Sequence, residues 1–162
     1  MDIWTERLER SHLPVLENWI GRTDGALTPN DLPSEANGLM PWFEACSADP
    51  KRLDCLALVY ETPVGVTGLR WCGEQDGSAE LYLLLGEVNY NPLRTATYVT
   101  LRMLDRAFLE LGSRRVTVRV CAQHTWYIEV LEQMGFPPTA EGNDVISLAV
   151  DQAAFLNRKY LF

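Results

Sequence analysis

The chain has 162 residues, of which 47% are hydrophobic and 22% charged. That composition suits one globular domain over residues 1–162 with its own core, and excludes a disordered or low-complexity chain. Its 22 acidic and 14 basic residues give a net charge of −8. Such a field repels phosphate backbones and suits a cationic partner such as an amine.

The first strand is expected over Ile3–Leu8. Ser11 has N-cap chemistry, Pro14 suits the first turn that follows, and Leu16, Trp19 and Ile20 give the helix one apolar face before Gly21 stops it. His12 reads as a first-turn residue. Residues 22–33 are turn-rich, and a second helical region is expected over Glu35–Ser47, restarted at Pro41, with Trp42, Phe43 and Cys46 facing inward. Leu53–Glu61 and Val64–Cys72 read as strands joined by a turn at Thr62-Pro63, and Gly73–Ser78 as a further turn.

Ala79–Leu85 is almost continuously apolar, which predicts a central strand covered on both faces. An irregular stretch over Gly86–Arg94 leads into a helix. Leu101, Leu104, Phe108 and Leu111 recur there at helical spacing, Arg102, Asp105, Arg106 and Glu110 take the other side, and Gly112 ends it. Arg115–Cys121 alternates, with Val116, Val118 and Val120 on one face. Thr125 is the expected cap of a short helix carrying Ile128, Leu131 and Met134 and stopped by Gly135. Val145–Val150 is the last expected strand, followed by a helical tail. Helices interrupting an antiparallel meander, without a G-x-G-x-x-G turn, exclude a simple dinucleotide-binding unit.

No apolar run approaches the roughly 18–20 residues that span a bilayer, so no membrane partner is expected. The first residues lack a basic segment followed by an apolar one, the pattern of a secretory signal. Cys46, Cys55, Cys72 and Cys121 are scattered without a C-x-x-C pair, which argues against a metal site and for reduced thiols in a cytoplasm. Arg114, Arg115 and Arg119 form a short basic cluster without an aromatic platform, so no nucleic-acid partner is expected.

Three stretches carry a resemblance: Pro63–Leu69, Ala79–Gly86, and the run from Arg106 through Val116 into Val130-Leu131-Glu132-Gln133-Met134-Gly135-Phe136. In order and spacing, over roughly residues 1–150, the chain resembles the GNAT superfamily of acyl-CoA-dependent N-acetyltransferases. It is most similar to the branch with the Rim-type (ribosomal-protein N-terminal) enzymes. The resemblance implies an α/β (α+β) GNAT-like fold: a mixed, mostly antiparallel sheet of six to seven strands with helices on both faces. It further implies acetyl transfer from acetyl-CoA, as co-substrate, to a small-molecule or peptide primary amine by direct attack. A homodimer is expected by analogy alone.

In this family the fourth and fifth strands splay and the pantetheine arm pairs with the fourth. The matching backbone here is Leu83, Leu84 and Leu85, whose amides include the candidate oxyanion donor. The pyrophosphate meets the start of the next helix, which corresponds to Arg94, Thr95, Ala96 and Thr97. The family's R-G-x-G-x-A loop is replaced by Asn89-Tyr90-Asn91-Pro92-Leu93-Arg94-Thr95-Ala96-Thr97, without either glycine. In one reading the amides and Arg94 still hold phosphate. In the other the loop is a surface turn and Thr95 or Thr97 merely caps the helix. The missing glycines, with Leu131 where many members have tyrosine, keep open a GNAT-fold binding or regulatory module without catalysis.

Glu80 is the candidate general base, because it is the lone carboxylate in an apolar strand; a solvated strand-end carboxylate is the competing reading. Many family members protonate the leaving thiolate with a tyrosine, and the matching position is Leu131. Tyr127, one turn earlier, is the alternative acid or a packing residue. His124 replaces an asparagine that contacts the cofactor arm in the family, and reads either as a cofactor contact or base or as a loop histidine beside a helix cap. Trp19, Trp42, Phe43 and Trp71 either wall an acceptor pocket or belong to the core.

Overall fold

A computed structural model describes residues 2–21, 24–71, 77–87 and 91–158. The strands are β1 (Ile3–Arg7), β2 (Arg52–Val59), β3 (Thr62–Trp71), β4 (Ser78–Leu85), β5 (Arg115–Cys121), β6 (Pro138–Glu141) and β7 (Val145–Asp151). They form one seven-stranded sheet in the order β1-β2-β3-β4-β5-β7-β6. Among the described strands, β4 and β5 alone pair in parallel. The helices are α1 (Leu13–Glu17), α2 (Leu39–Ala48), α3 (Pro92–Asp105, continued by a wider turn over Arg106–Glu110), α4 (Thr125–Gln133) and α5 (Gln152–Arg158).

Strand alternation divides the core into two layers. Leu81, Leu83 and Leu85 of β4 join Val116, Val118 and Val120 of β5 under α3, α4 and α5. Tyr82 and Leu84 face the other way, with Leu56, Leu58 and Val66, against α1 and α2. β4 is therefore covered on both faces, which explains its nearly unbroken apolar run. The turn that follows α1 is fastened to the end of β4: a Cβ on Gly86 would overlap the Trp19 indole, and Trp19 Nε1 donates to Glu87 Oε1 at 3.2 Å.

Several local expectations change. The β2–β3 turn is Tyr60–Glu61, with Tyr60 at φ 55°, and Pro63 lies inside β3. The register steps between Ala57 and Leu58, opposite Pro63 and Gly65, and a bulge is where a residue without an N–H fits in a strand. Ser11 sits within a short turn over Arg10–His12 rather than capping it; the Glu9 amide donates to His12 Nδ1 instead, at 2.9 Å. His124 holds the cap position of α4, and Thr125 is its first residue. Leu111 is exposed, because the wider turn ending at Glu110 rotates it off the apolar stripe. Strand β6 has no apolar alternation to announce it. Trp42 and Phe43 are half-buried, while Cys46 is buried. Gly112 and Gly135 end their helices with φ of 70° and 97°. The turn expected over Gly73–Ser78 lies mostly outside the described residues, as do Cys72, Asn89 and Tyr90.

The α1/α2 layer contains a polar network. Tyr82 Oη donates to Asp54 Oδ1 at 2.5 Å, and Arg52 Nε and Nη2 donate to the same carboxylate at 2.9 and 2.8 Å. Arg52 Nη1 reaches Asp31 Oδ2 at 2.7 Å. Burial, and then the Asp54 charge, push the Tyr82 phenol well above its ordinary pKa, so it remains a proton donor. Side chains of Arg52 and Asp54 are each only 7% exposed. Asp54→Ala removes the acceptor shared by Tyr82 and Arg52 and should cost about 3–5 kcal/mol. Tyr82→Phe should cost about 1–3 kcal/mol. Urea unfolding monitored by tryptophan fluorescence reads both.

Candidate active site

The parallel pairing of β4 with β5 runs only from Ser78↔Arg115 to Leu81↔Val118. Beyond it the strands part. Backbone groups of Leu83 and Leu85 then face the gap, because alternate residues of β4 turn their donors toward β3 and toward β5. The gap is filled by the chain itself. Leu85 N donates to Gly25 O at 2.7 Å, Leu83 N to Thr28 Oγ1 at 2.9 Å, and Leu27 N to Leu83 O at 3.2 Å. On the far side Cys121 N donates to Leu27 O at 3.0 Å. Ala26 bridges Leu84 in antiparallel sense, so Gly25–Thr28 lies as a short extra strand between β4 and β5.

Glu80 lies on the α1/α2 face, half-buried. Arg119 Nε donates to its Oε1 at 2.6 Å, and Arg70 Nη2 is 3.9 Å from Oε2. It is therefore neither a solvated strand-end carboxylate nor a carboxylate isolated among apolar groups. Arg70 also approaches Asp31, at 3.8 Å, which joins Glu80 and Arg119 to the Arg52–Asp54 network. Asp31 is opposed by burial but receives hydrogen bonds from Arg52 and Trp42, and its carboxyl sits below its ordinary pKa. Arg115 pairs with Asp151. Arg115 and Arg119 of the basic cluster thus have separate partners.

His124 precedes α4, three residues beyond the Cys121 amide, and its Nε2 is buried with no hydrogen-bond partner among the described residues. Tyr127 is fully buried; its hydroxyl is 2.7 Å from Thr100 Oγ1 on α3, and burial raises its pKa. The phenol is enclosed between two helices. Leu131, on the same helix, is also fully buried.

At the start of α3, the Asn91 side chain accepts from Arg94 N at 3.2 Å, and Asn91 O accepts from Thr95 N at 2.9 Å. Ala96 and Thr97 lie beyond the first turn, where amides belong to the helix ladder. Thr97 Oγ1 donates to Leu93 O at 2.7 Å, and the Arg94 guanidinium lies 5.5 Å from the centre of the Tyr98 ring. The amides expected to cradle a phosphate are thus engaged within the helix.

Among the aromatics, Trp19, Trp42 and Phe43 pack together in the α1/α2 layer. Trp71 is on the opposite face, bonded through Nε1 to Ser113 Oγ at 3.0 Å, and cannot share a pocket with them. Sequence reasoning missed Gly25–Thr28, Arg70 and Arg119. The clue available for the arginines was the strand alternation that places Arg119 and Glu80 on one face. No group of three metal-ligating side chains occurs among the described residues.

The sheet order and the splay define a GNAT-like fold. Solved structures share it over nearly the whole chain. A chimera of the Vibrio cholerae spermidine N-acetyltransferase SpeG and hSSAT matches with a TM-score of 0.83 and 18% identity, over 98% of this chain and 100% of that one. The Vibrio cholerae spermidine N-acetyltransferase in complex with CoA and spermine matches with a TM-score of 0.81 and 17% identity, over 96% and 98%. At such identities the likeness establishes the fold. No protein-family model and no curated protein sequence matches the chain.

Tyr127→Phe deletes one half of the buried hydroxyl pair with Thr100 and should lower stability by about 1 kcal/mol. Thermal unfolding of the purified variant measures it.

Proposed function

We propose that the chain, taken as one domain, is an acetyl-CoA-dependent N-acetyltransferase that passes the acetyl group directly to a primary amine. The cleft between β4 and β5 is the observation that supports this most. Leu83 N, Leu83 O and Leu85 N line one wall of it and are satisfied by a peptide segment rather than by a permanent neighbouring strand. An extended arm bearing amides offers the same donors and acceptors, so the residues present fit the pantetheine portion. The phosphate end is less prepared: it offers the helix dipole and Arg94, with the Arg94 and Thr95 amides held by Asn91.

Acetyl-CoA, when bound, supplies a thioester with an activated acyl carbon and a thiol leaving group. The Leu83 N–H points into the cleft and is the donor suited to a developing oxyanion. Glu80 is the candidate base for the acceptor ammonium, with Arg119 orienting its carboxylate through Oε1. His124, whose Nε2 has no hydrogen-bond partner among the described residues, is the candidate contact to the cofactor arm. Tyr127 is assigned a packing role.

The net charge of −8 supports a cationic acceptor. The spermine complex of a structural neighbour puts polyamines in the acceptor panel. The Val130–Phe136 ending supports the Rim-type branch, which adds peptide N-termini. Assembly as a homodimer rests on the family likeness alone. Free thiols at Cys46, Cys55 and Cys121 support a cytoplasmic setting.

A second reading, a GNAT-fold module without turnover, is favoured by the Asn91 cap and by leucine at 131. Thermal unfolding with CoA and acetyl-CoA tests the binding that both readings share. Ligand at 100 times its dissociation constant should add about 2.7 kcal/mol, and absence of any shift counts against both. Thiol release with spermidine, spermine, amino acids and a peptide panel then separates them. Glu80→Gln should lower kcat by about 100-fold or more while leaving CoA binding unchanged; unchanged turnover would remove Glu80 as the base.

A further inference from the structure

We propose that Gly25–Thr28 is a displaceable strap that closes the cleft by imitating an extended ligand, and that the acyl-CoA arm binds by expelling it. The inference rests on the acetyl-CoA reading and adds how access to that site is controlled.

The strap occupies the cleft bond for bond. It supplies acceptors to Leu85 N and Leu83 N, a donor to Leu83 O and an acceptor to Cys121 N. Leu27 and Thr28 are each 1% exposed, with the Leu27 side chain in the α3/α4 layer. Gly25 lies so close to β4 that a Cβ there would overlap the Leu85 carbonyl. An arm cannot pair with the same groups of Leu83 and Leu85 while the strap is seated. The two occupants are mutually exclusive.

The strap is also built to let go. Its paired part is only four residues long, and Pro29 has no N–H with which to extend the pairing. Both flanks are anchored independently of the cleft. Before it, Trp19 is fixed under Gly86 and to Glu87. After it, Asp31 is held by Arg52 and by Trp42 Nε1. These anchors let the strap leave without loosening α1 or the sheet. Exchange for an amide-bearing arm conserves the hydrogen bonds of β4, so the closed state is held mainly by burial of Leu27. Apparent affinity for the arm falls by the fraction of molecules in the open state.

The test titrates CoA and acetyl-CoA into the full chain by calorimetry and follows amide hydrogen exchange with and without CoA. Gly25→Ala prevents seating and should tighten the dissociation constant for CoA by about tenfold or more. Thr28→Val, which removes the acceptor for Leu83 N together with the hydroxyl's own bond to Pro29 O, leaves the backbone pairing in place; it should tighten the constant less and guards against misfolding of the first variant. In the wild type, CoA should speed exchange of the Leu27 amide while those of Leu83 and Leu85 stay protected. Equal affinities in wild type and variants, with strap exchange unchanged or slowed by CoA, overturn the strap and leave the acyl-CoA reading standing. If neither wild type nor the folded variants bind CoA, the acyl-CoA reading itself is overturned and the strap falls with it.

Discussion

Buried backbone donors and acceptors must be paired, and the parting of β4 from β5 is where this fold meets that requirement in an unusual way. The two strands share a ladder for four residues, Ser78–Leu81 against Arg115–Val118. Past that point the amides of Leu83, Leu85 and Cys121 need partners from elsewhere. The chain supplies them from Gly25–Thr28. The cleft between β4 and β5 is therefore present in outline and closed in detail by the chain itself.

The arrangement around the cleft follows from the same divergence. The even residues of β4 carry Glu80 and Tyr82 to the α1/α2 layer, while the odd residues pack under α3 and α4. That layer is crossed by a chain of charged and polar groups through Tyr82, Asp54, Arg52, Asp31, Arg70, Glu80 and Arg119. Each carboxylate in it faces at least one guanidinium, which makes burial of the group affordable. Glu80 is oriented by this network rather than left free in solvent. The opposite layer is almost wholly apolar, and Tyr127 belongs to it.

Much of the secondary structure was legible from local pattern. The alternation of Arg115–Cys121, the apolar run of Ala79–Leu85 and the terminal glycines Gly112 and Gly135 each state their conformation within a few residues, because sterics and burial act locally there. Elements failed where a distant partner decided them. Pro63 looked like a turn residue but sits at a bulge set by the β2 register. Strand β6 exists because β7 offers it an edge, and its own residues, all exposed, show no pattern. Leu111 had the right spacing for a straight helix but follows a widened turn.

By itself the sequence determined the mixed fold, the central strand, the position of Glu80 on it, and the absence of glycine from the stretch 89–97 at the start of α3. These depend on side-chain periodicity and on residue identity, which are local quantities. Only the tertiary structure decided that Arg119 holds Glu80, that Tyr127 bonds Thr100 inside the core, that Trp71 is on the opposite face from Trp19, and that Gly25–Thr28 fills the cleft. Those pairs are separated by 39, 27, 52 and more than 50 positions in the chain. The strap is made mostly through backbone groups, which every residue carries, so no choice of side chain announces where a backbone bond will form.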